Sequence, residues 1–193
     1  MMLGKARPWW GVVLAGVAAL GLAGAGARAA EPFTLSSPAF TDGAPLATKN
    51  AGNIKTNPNC VGENVSPPLQ WSNVPAGTKS LALVMTDPDG RGGLGVVHWV
   101  AYGIAPALTG FAENEVSAAS DKYVGGKGSA GMGTYLGPCP PPGTGMHHYT
   151  FELIATDLET AALPLGLTQA ELFEKLNGHS KGSAGLIGLF GRP

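Results

Sequence analysis

The stretch GPCPPPGTGMHHYTFELIATD runs from Gly137 to Asp157 and changes character halfway along. Its first part holds Pro138, Pro140, Pro141 and Pro142 between Gly137, Gly143 and Gly145. Proline fixes its own φ, pushes the preceding residue towards extended geometry and removes a backbone donor. This part therefore reads as a stiff loop. The second part, His147–Asp157, is apolar and rich in β-formers, so it reads as a strand. Side chains alternate across a strand, which puts His147, Tyr149 and Phe151 on one face and His148, Thr150 and Glu152 on the other. Only one of the two adjacent histidines can then face a given pocket. The rigid loop would form a wall of that pocket, and its glycines would let a ligand come close.

Outward from this stretch the pattern repeats. PFTLSSPAF (32–40) reads as a short strand, and GTKSLALVMTD (77–87) and GVVHWVAYGI (95–104) as strong ones. SAGLIGLFGRP (183–193) reads as a last strand. Apolar runs this continuous suit strands buried on both faces. Residues 41–71 are polar and turn-rich. LTQAELFEKLNG (167–178) is the one convincing helix, with Thr168 and Glu171 at capping-box spacing, Gly178 as a stop, and Leu172, Phe173 and Leu176 as an apolar stripe. The expected class is mainly β and antiparallel, with one or two helices, in a single domain over residues 30–193.

The first 29 residues are set apart from that domain. Lys5 and Arg7 precede the apolar, small-residue run GVVLAGVAALGLAGAGA, and Ala27-Arg28-Ala29 supplies a small-x-small cleavage signature. This is the layout of a signal peptide cut after Ala29, and it implies a periplasmic or secreted protein. The alternative, a retained anchor helix, is weakened by the scarcity of Leu and Ile. Cleavage removes Lys5, Arg7 and Arg28 and no acid. The 12 basic residues become 9 against 13 acidic ones, a formal charge of −4. No basic stripe remains, which argues against a nucleic-acid partner, and no later segment is apolar enough to span a membrane. Export also favours a Cys60–Cys139 disulfide over two separate buried thiols.

Several short motifs fail on context. GHSKG (178–182) matches a nucleophile elbow, but a helix precedes it and no histidine lies beyond His179. GRGGLG (90–95) matches a dinucleotide fingerprint but runs into a strand, so it reads as a hairpin loop. DPDG (87–90) resembles the start of a calcium loop, yet position 12 of that loop would be His98. What survives is a constellation: Asp87 ending one strong strand, Asp89 just after it, His98 in the next strand, and His147 and Tyr149 opening a third.

The residues of this constellation carry a wider similarity. DPDG (87–90) with HWVAYGI (98–104), then GTYLGPCPPPGTGMHHYTFELIATD (133–157), resemble the phosphatidylethanolamine-binding protein family, also called the Raf kinase inhibitor-like family. CVGENVSPPLQWSNVPAGTKSLALVMTDPD (60–89) looks like its bacterial branch, and the similarity extends over about Phe33 to Phe190. The resemblance implies two antiparallel β-sheets, one large and one small, with a few peripheral helices. It implies an anion-binding pocket lined by Asp87, Asp89, His98, Gly137, Cys139, Pro141, His147 and Tyr149, with no catalytic reaction and no cofactor or metal. The ligand would be small and phosphorylated or zwitterionic, such as a phospholipid head group. The alternative is an inhibitor acting on a protease or another protein partner. Gly90-Arg91 stands where the family often carries Ala-Pro, and Cys139 where eukaryotic members commonly carry glycine. Two aspartates beside an anion would each repel it by about 4 kcal/mol at close range and intermediate dielectric. Protonated His98 or His147, loop amides, or an ammonium on the ligand could offset that repulsion.

Overall fold

Continuous apolar runs need cover on both faces, and the arrangement of β4 (Ser80–Asp87) shows how this chain supplies it. In this computed structural model, residues 1, 2, 4 and 31–193 are described. The proposed cleavage site and nearly all of the leader therefore lie outside the described residues. Glu31–Pro193 forms a unit of its own, and everything below concerns that unit.

Two sheets build it. A small one has the order β1 (Thr34–Ser36), β3 (Leu69–Ser72), β6 (Gly110–Phe111). A large one has the order β2 (Ala44–Pro45), β9 (Ser180–Arg192), β8 (Gly145–Thr156), β4, β5 (Val96–Ile104), β7 (Val124–Gly125). All pairs are antiparallel except the edge pair β2–β9, where Ala44 and Pro45 run parallel to Gly188 and Leu189. The polar stretch after β1 returns to the sheet through this short pairing rather than through a hairpin.

The alternation in β4 explains its composition. Leu81, Leu83 and Met85 point inward to a core shared with Leu35, Trp71 and Phe111 of the small sheet. Ala82 and Val84 point outward and are covered by Leu172 and Leu176 of helix α2 (Gln169–Leu176) together with Leu167. Each fully buried Leu, Met or Phe contributes on the order of 1.5–3 kcal/mol. The helix starts where its cap predicts: the Thr168 side chain accepts from the Glu171 amide, and the Glu171 carboxylate accepts from the Thr168 amide. Leu172 and Leu176 are buried, whereas Phe173 is half-exposed at the side of the expected stripe. The Gly-rich hairpin loop between β4 and β5 closes as a single turn, α1 (Gly90–Gly93), in which Arg91 and Gly92 take left-handed backbone angles.

Candidate functional site

Three neighbouring strands, β8, β4 and β5, deliver their charged residues to the same end of the large sheet. Asp87 ends β4, while His147 and His98 lie near the starts of β8 and β5. All three are nearly inaccessible, at 3%, 4% and 5% exposure. Buried ionisable groups persist when they are paired and hydrogen-bonded, and here each one is.

Asp87 is saturated. One carboxylate oxygen accepts from the amides of Asp89 and Gly90, each at 3.0 Å, and thereby shapes the turn that follows. The other is 2.8 Å from Nδ1 of His147. On the far side of that ring, Nε2 is 3.0 Å from the Thr144 hydroxyl, which itself donates to the Pro141 carbonyl at 2.8 Å. A hydroxyl that has given its hydrogen to a carbonyl has only lone pairs left for a second partner. Both ring nitrogens of His147 are thus engaged within the protein, Nδ1 by Asp87 and Nε2 by Thr144. The rigid loop and the strand it precedes are joined by the chain Asp87–His147–Thr144–Pro141.

His98 reaches the site through a fault in the sheet. Met85 pairs with Trp99 and Thr86 with Val97, so His98 is an extra residue in a β-bulge. Strict alternation would set His98 opposite to Trp99. The bulge instead turns it inward, where its ring meets Tyr149 at 5.2 Å between centroids. Its Nδ1 donates to the Leu136 carbonyl at 2.9 Å. That carbonyl is held in place by Asn64, whose side chain accepts from the Gly137 amide and donates to the Tyr135 carbonyl. Burial pushes the His98 pKa below its ordinary value, outweighing the Leu136 carbonyl and the Asp87 charge, which favour the proton. His98 is thus neutral near pH 7, with Nδ1 as its donor, so of the alternatives for offsetting the carboxylates a protonated His98 drops out.

A stability consequence follows. The unfolded chain takes up a proton at His98 near its ordinary pKa of about 6.5, while the folded chain resists it until lower pH. Folding stability should fall as pH drops below about 6.5. His98→Asn, whose amide can keep the bond to Leu136, should flatten that decline in chemical denaturation between pH 6.5 and 5. An unchanged slope would contradict this assignment.

The cleft itself measures about 360 Å³ and is lined by Asp87, His98, Cys139, Pro141 and His147 among the expected residues. Three expected residues fall outside it. Tyr149 lies behind the wall: its ring stands near both His98 and His147, its hydroxyl is buried, and burial followed by the nearby Asp87 charge raises its pKa. Asp89 turns to the opposite face of β8, where it accepts from the amide and ring of His148 and is held below the usual carboxylate range by that partner. It borders a neighbouring groove instead. Gly137 is needed for packing within the chain, not for ligand approach: a Cβ there would sit 1.9 Å from the Asn50 carbonyl oxygen. Gly143 and Gly145 have φ of 75° and 85° and open space around them, so they serve the turn.

The expected Cys60–Cys139 disulfide is present. It fastens the loop carrying Ile54 and Asn57 beside the proline wall, and both residues line the cleft. Ile54, Asn57, Ser129 and Leu136 were not singled out from the sequence, because they come from loops with no periodicity. Among the described residues, no group of three or more His, Cys, Asp or Glu is gathered to hold a metal ion, and no helix is long and apolar enough to cross a membrane.

Known proteins are similar to this chain. The profile of the family described as phosphatidylethanolamine-binding protein matches residues 36–191. A candidate lipoprotein of Mycobacterium tuberculosis, LppC, is 42% identical over 164 residues, covering 85% of this chain and 75% of its own. A UPF0098 protein of Methanothermobacter thermautotrophicus is 41% identical over 148 residues, covering 76% and 95%. Among solved structures, YbcL of Escherichia coli, titled a member of the mammalian PEBP family, superposes with a TM-score of 0.74 at 28% identity, covering 83% of this chain and 99% of its own. With a family profile spanning both sheets and the cleft, and with relatives above 40% identity over most of its length, the chain belongs to the phosphatidylethanolamine-binding protein family.

Proposed function

We propose that the protein is an exported, non-catalytic binding protein whose cleft takes a small organic anion, a phosphate or a carboxylate. The observation that carries this reading is Arg91, which has no side-chain partner among the described residues and lines a preformed cleft in which Asp87, His147 and His98 are already hydrogen-bonded by the protein. The carboxylate that would have repelled an anion most strongly, Asp87, has both oxygens taken by His147 and two amides. The second, Asp89, points elsewhere. Both oxygens of Asp87 and both ring nitrogens of His147 are engaged by the protein itself, which favours a structural role over proton transfer to a substrate. Export is supported by the leader pattern with Ala27-Arg28-Ala29, by the disulfide, and by the lipoprotein name of the M. tuberculosis relative.

The test is calorimetric titration of the purified protein with inorganic phosphate, phosphorylethanolamine and small carboxylates. An Ala130→Trp variant, which plugs the cleft from an exposed position, serves as the control. At least one anion should bind the wild type and lose binding in the plugged variant at unchanged thermal stability. The bound compound should be recovered chemically intact by mass spectrometry. Binding that survives the plug would place the ligand elsewhere, and conversion of the compound would make the protein an enzyme.

A further inference from the structure

Arg91 sits in the α1 turn with φ 55° and ψ 35°. This left-handed conformation disfavours any residue with a Cβ, and it is relieved neither by a hydrogen bond nor by an ion pair at Arg91 among the described residues. Lys49, Lys79, Lys122 and Lys181 each meet a carboxylate, whereas Arg91, like Lys55, Lys127 and Lys175, meets none among the described residues, and of these four Arg91 lines the cleft. The Asp87 carboxylate shapes this turn through the Asp89 and Gly90 amides, so the strained position is held by the floor of the cleft. Arg91 lines both the cleft and the neighbouring groove.

The charges around the cleft can be counted. Both oxygens of Asp87 are taken, one by His147 and the other by two amides. His98 is neutral. Asp89 meets His148 through one oxygen and borders the neighbouring groove rather than the cleft. Arg91 is the one fixed positive charge among the residues that line the cleft. No carboxylate with a free oxygen faces the cleft to receive an ammonium group. Much of the remaining wall is apolar: Ile54, Val96, Ala130, Leu136 and Pro140. A bare phosphate would leave that wall wet, and a zwitterionic head group would find no partner for its cation.

We infer that the cleft takes a monoanionic carboxylate with an apolar body, the carboxylate on Arg91 and the body against Ile54, Val96, Leu136 and Pro140. A guanidinium fork matches a carboxylate with two parallel hydrogen bonds, and the apolar wall supplies the rest of the contact. The inference rests on the binding-protein reading above and narrows its ligand class.

The test is calorimetric titration of the purified protein with three probes: 3-phenylpropionate, its neutral amide, and phosphorylethanolamine. It is repeated with Arg91→Gly and Arg91→Lys. Glycine favours the left-handed turn, so Arg91→Gly should melt no lower than the wild type. We expect 3-phenylpropionate to bind at least tenfold more tightly than either other probe. Arg91→Gly should weaken it tenfold or more and bring acid and amide to equal affinity, and Arg91→Lys should fall between. An unchanged affinity in Arg91→Gly would overturn the role of Arg91. Phosphorylethanolamine binding as tightly as 3-phenylpropionate would overturn the ligand class while leaving the binding-protein reading intact. Absence of binding by all three probes, and by the phosphates and carboxylates tested above, would overturn both.

Discussion

Replacing Asp87 by alanine should destabilise the protein by about 3–5 kcal/mol, the range for breaking one side of a buried ion pair. The reason is what the carboxylate leaves behind. His147 loses the acceptor of its Nδ1 in a site with 4% exposure, and the amides of Asp89 and Gly90 lose theirs. A domain of this size loses about 2–4 °C of melting temperature per kcal/mol, so the shift should be on the order of 10 °C. Asp87→Asn should cost less, because its carbonyl can still accept from both amides and neutral His147 can accept from its NH2 group. The pairing is separable from plain packing by a double-mutant cycle in urea with His147→Phe. A coupling of about 1–3 kcal/mol is expected for groups in direct contact. An Asp87→Ala variant within 1 kcal/mol of wild type would show that the buried chain from Asp87 to Pro141 does not hold the site together. The variant should also lose anion affinity, since the turn that aims Arg91 begins at the Asp87 carboxylate.

The parts of this structure that were legible in the sequence are those governed by periodicity or by a local cap. β4 reads as a two-faced strand because Ser80–Thr86 is apolar at nearly every position, and both of its faces are buried. Helix α2 starts at the capping box. His147 rather than His148 faces inward because period-two alternation holds along β8, as the burial of His147, Tyr149 and Phe151 records. The candidate site was legible by residue but not by direction. His98 reaches it only because a bulge breaks the alternation of β5, and bulges are set by strand pairing that a single segment does not reveal. Asp89 leaves it because the Asp87 side chain captures the next two amides and turns the chain away. Gly137 is required by Asn50 and Gly52, residues about 85 positions earlier, so its packing role has no local signature. Arg91 stood out in the sequence only as a departure from the family pattern. Its importance comes from its being the one fixed positive charge among the residues that line the cleft.

Loss of the Cys60–Cys139 bridge should act on stability and on the cleft together. The two cysteines are 79 residues apart, and opening a loop of that length returns about 4 kcal/mol of chain entropy to the unfolded state, with measured losses commonly 2–5 kcal/mol. The fold should survive, because the segment is anchored on both sides of the loop. Gly52 donates to Pro138, Gly62 to Gly52, and Asn64 grips Tyr135 and Gly137. Between those anchors, the loop has local bonds within itself, Asn57 to Ile54, Cys60 to Asn57 and Asn59 to Asn57, and exposed bonds outward such as Asn53 to Glu63 and Arg192 to Pro58. Reduction should therefore release the tip carrying Ile54 and Asn57 while leaving the Asp87–His147 chain in place. Thermal unfolding of the protein with and without dithiothreitol should show the lower melting point. Titration of the reduced protein should show an anion affinity weakened several-fold through the loss of one wall, since Arg91 remains. Unchanged affinity at a lowered melting point would mean that the 53–61 loop borders the cleft without contributing to it. An unchanged melting point would mean that the anchors at Gly52, Gly62 and Asn64 already restrict the chain as much as the bridge does.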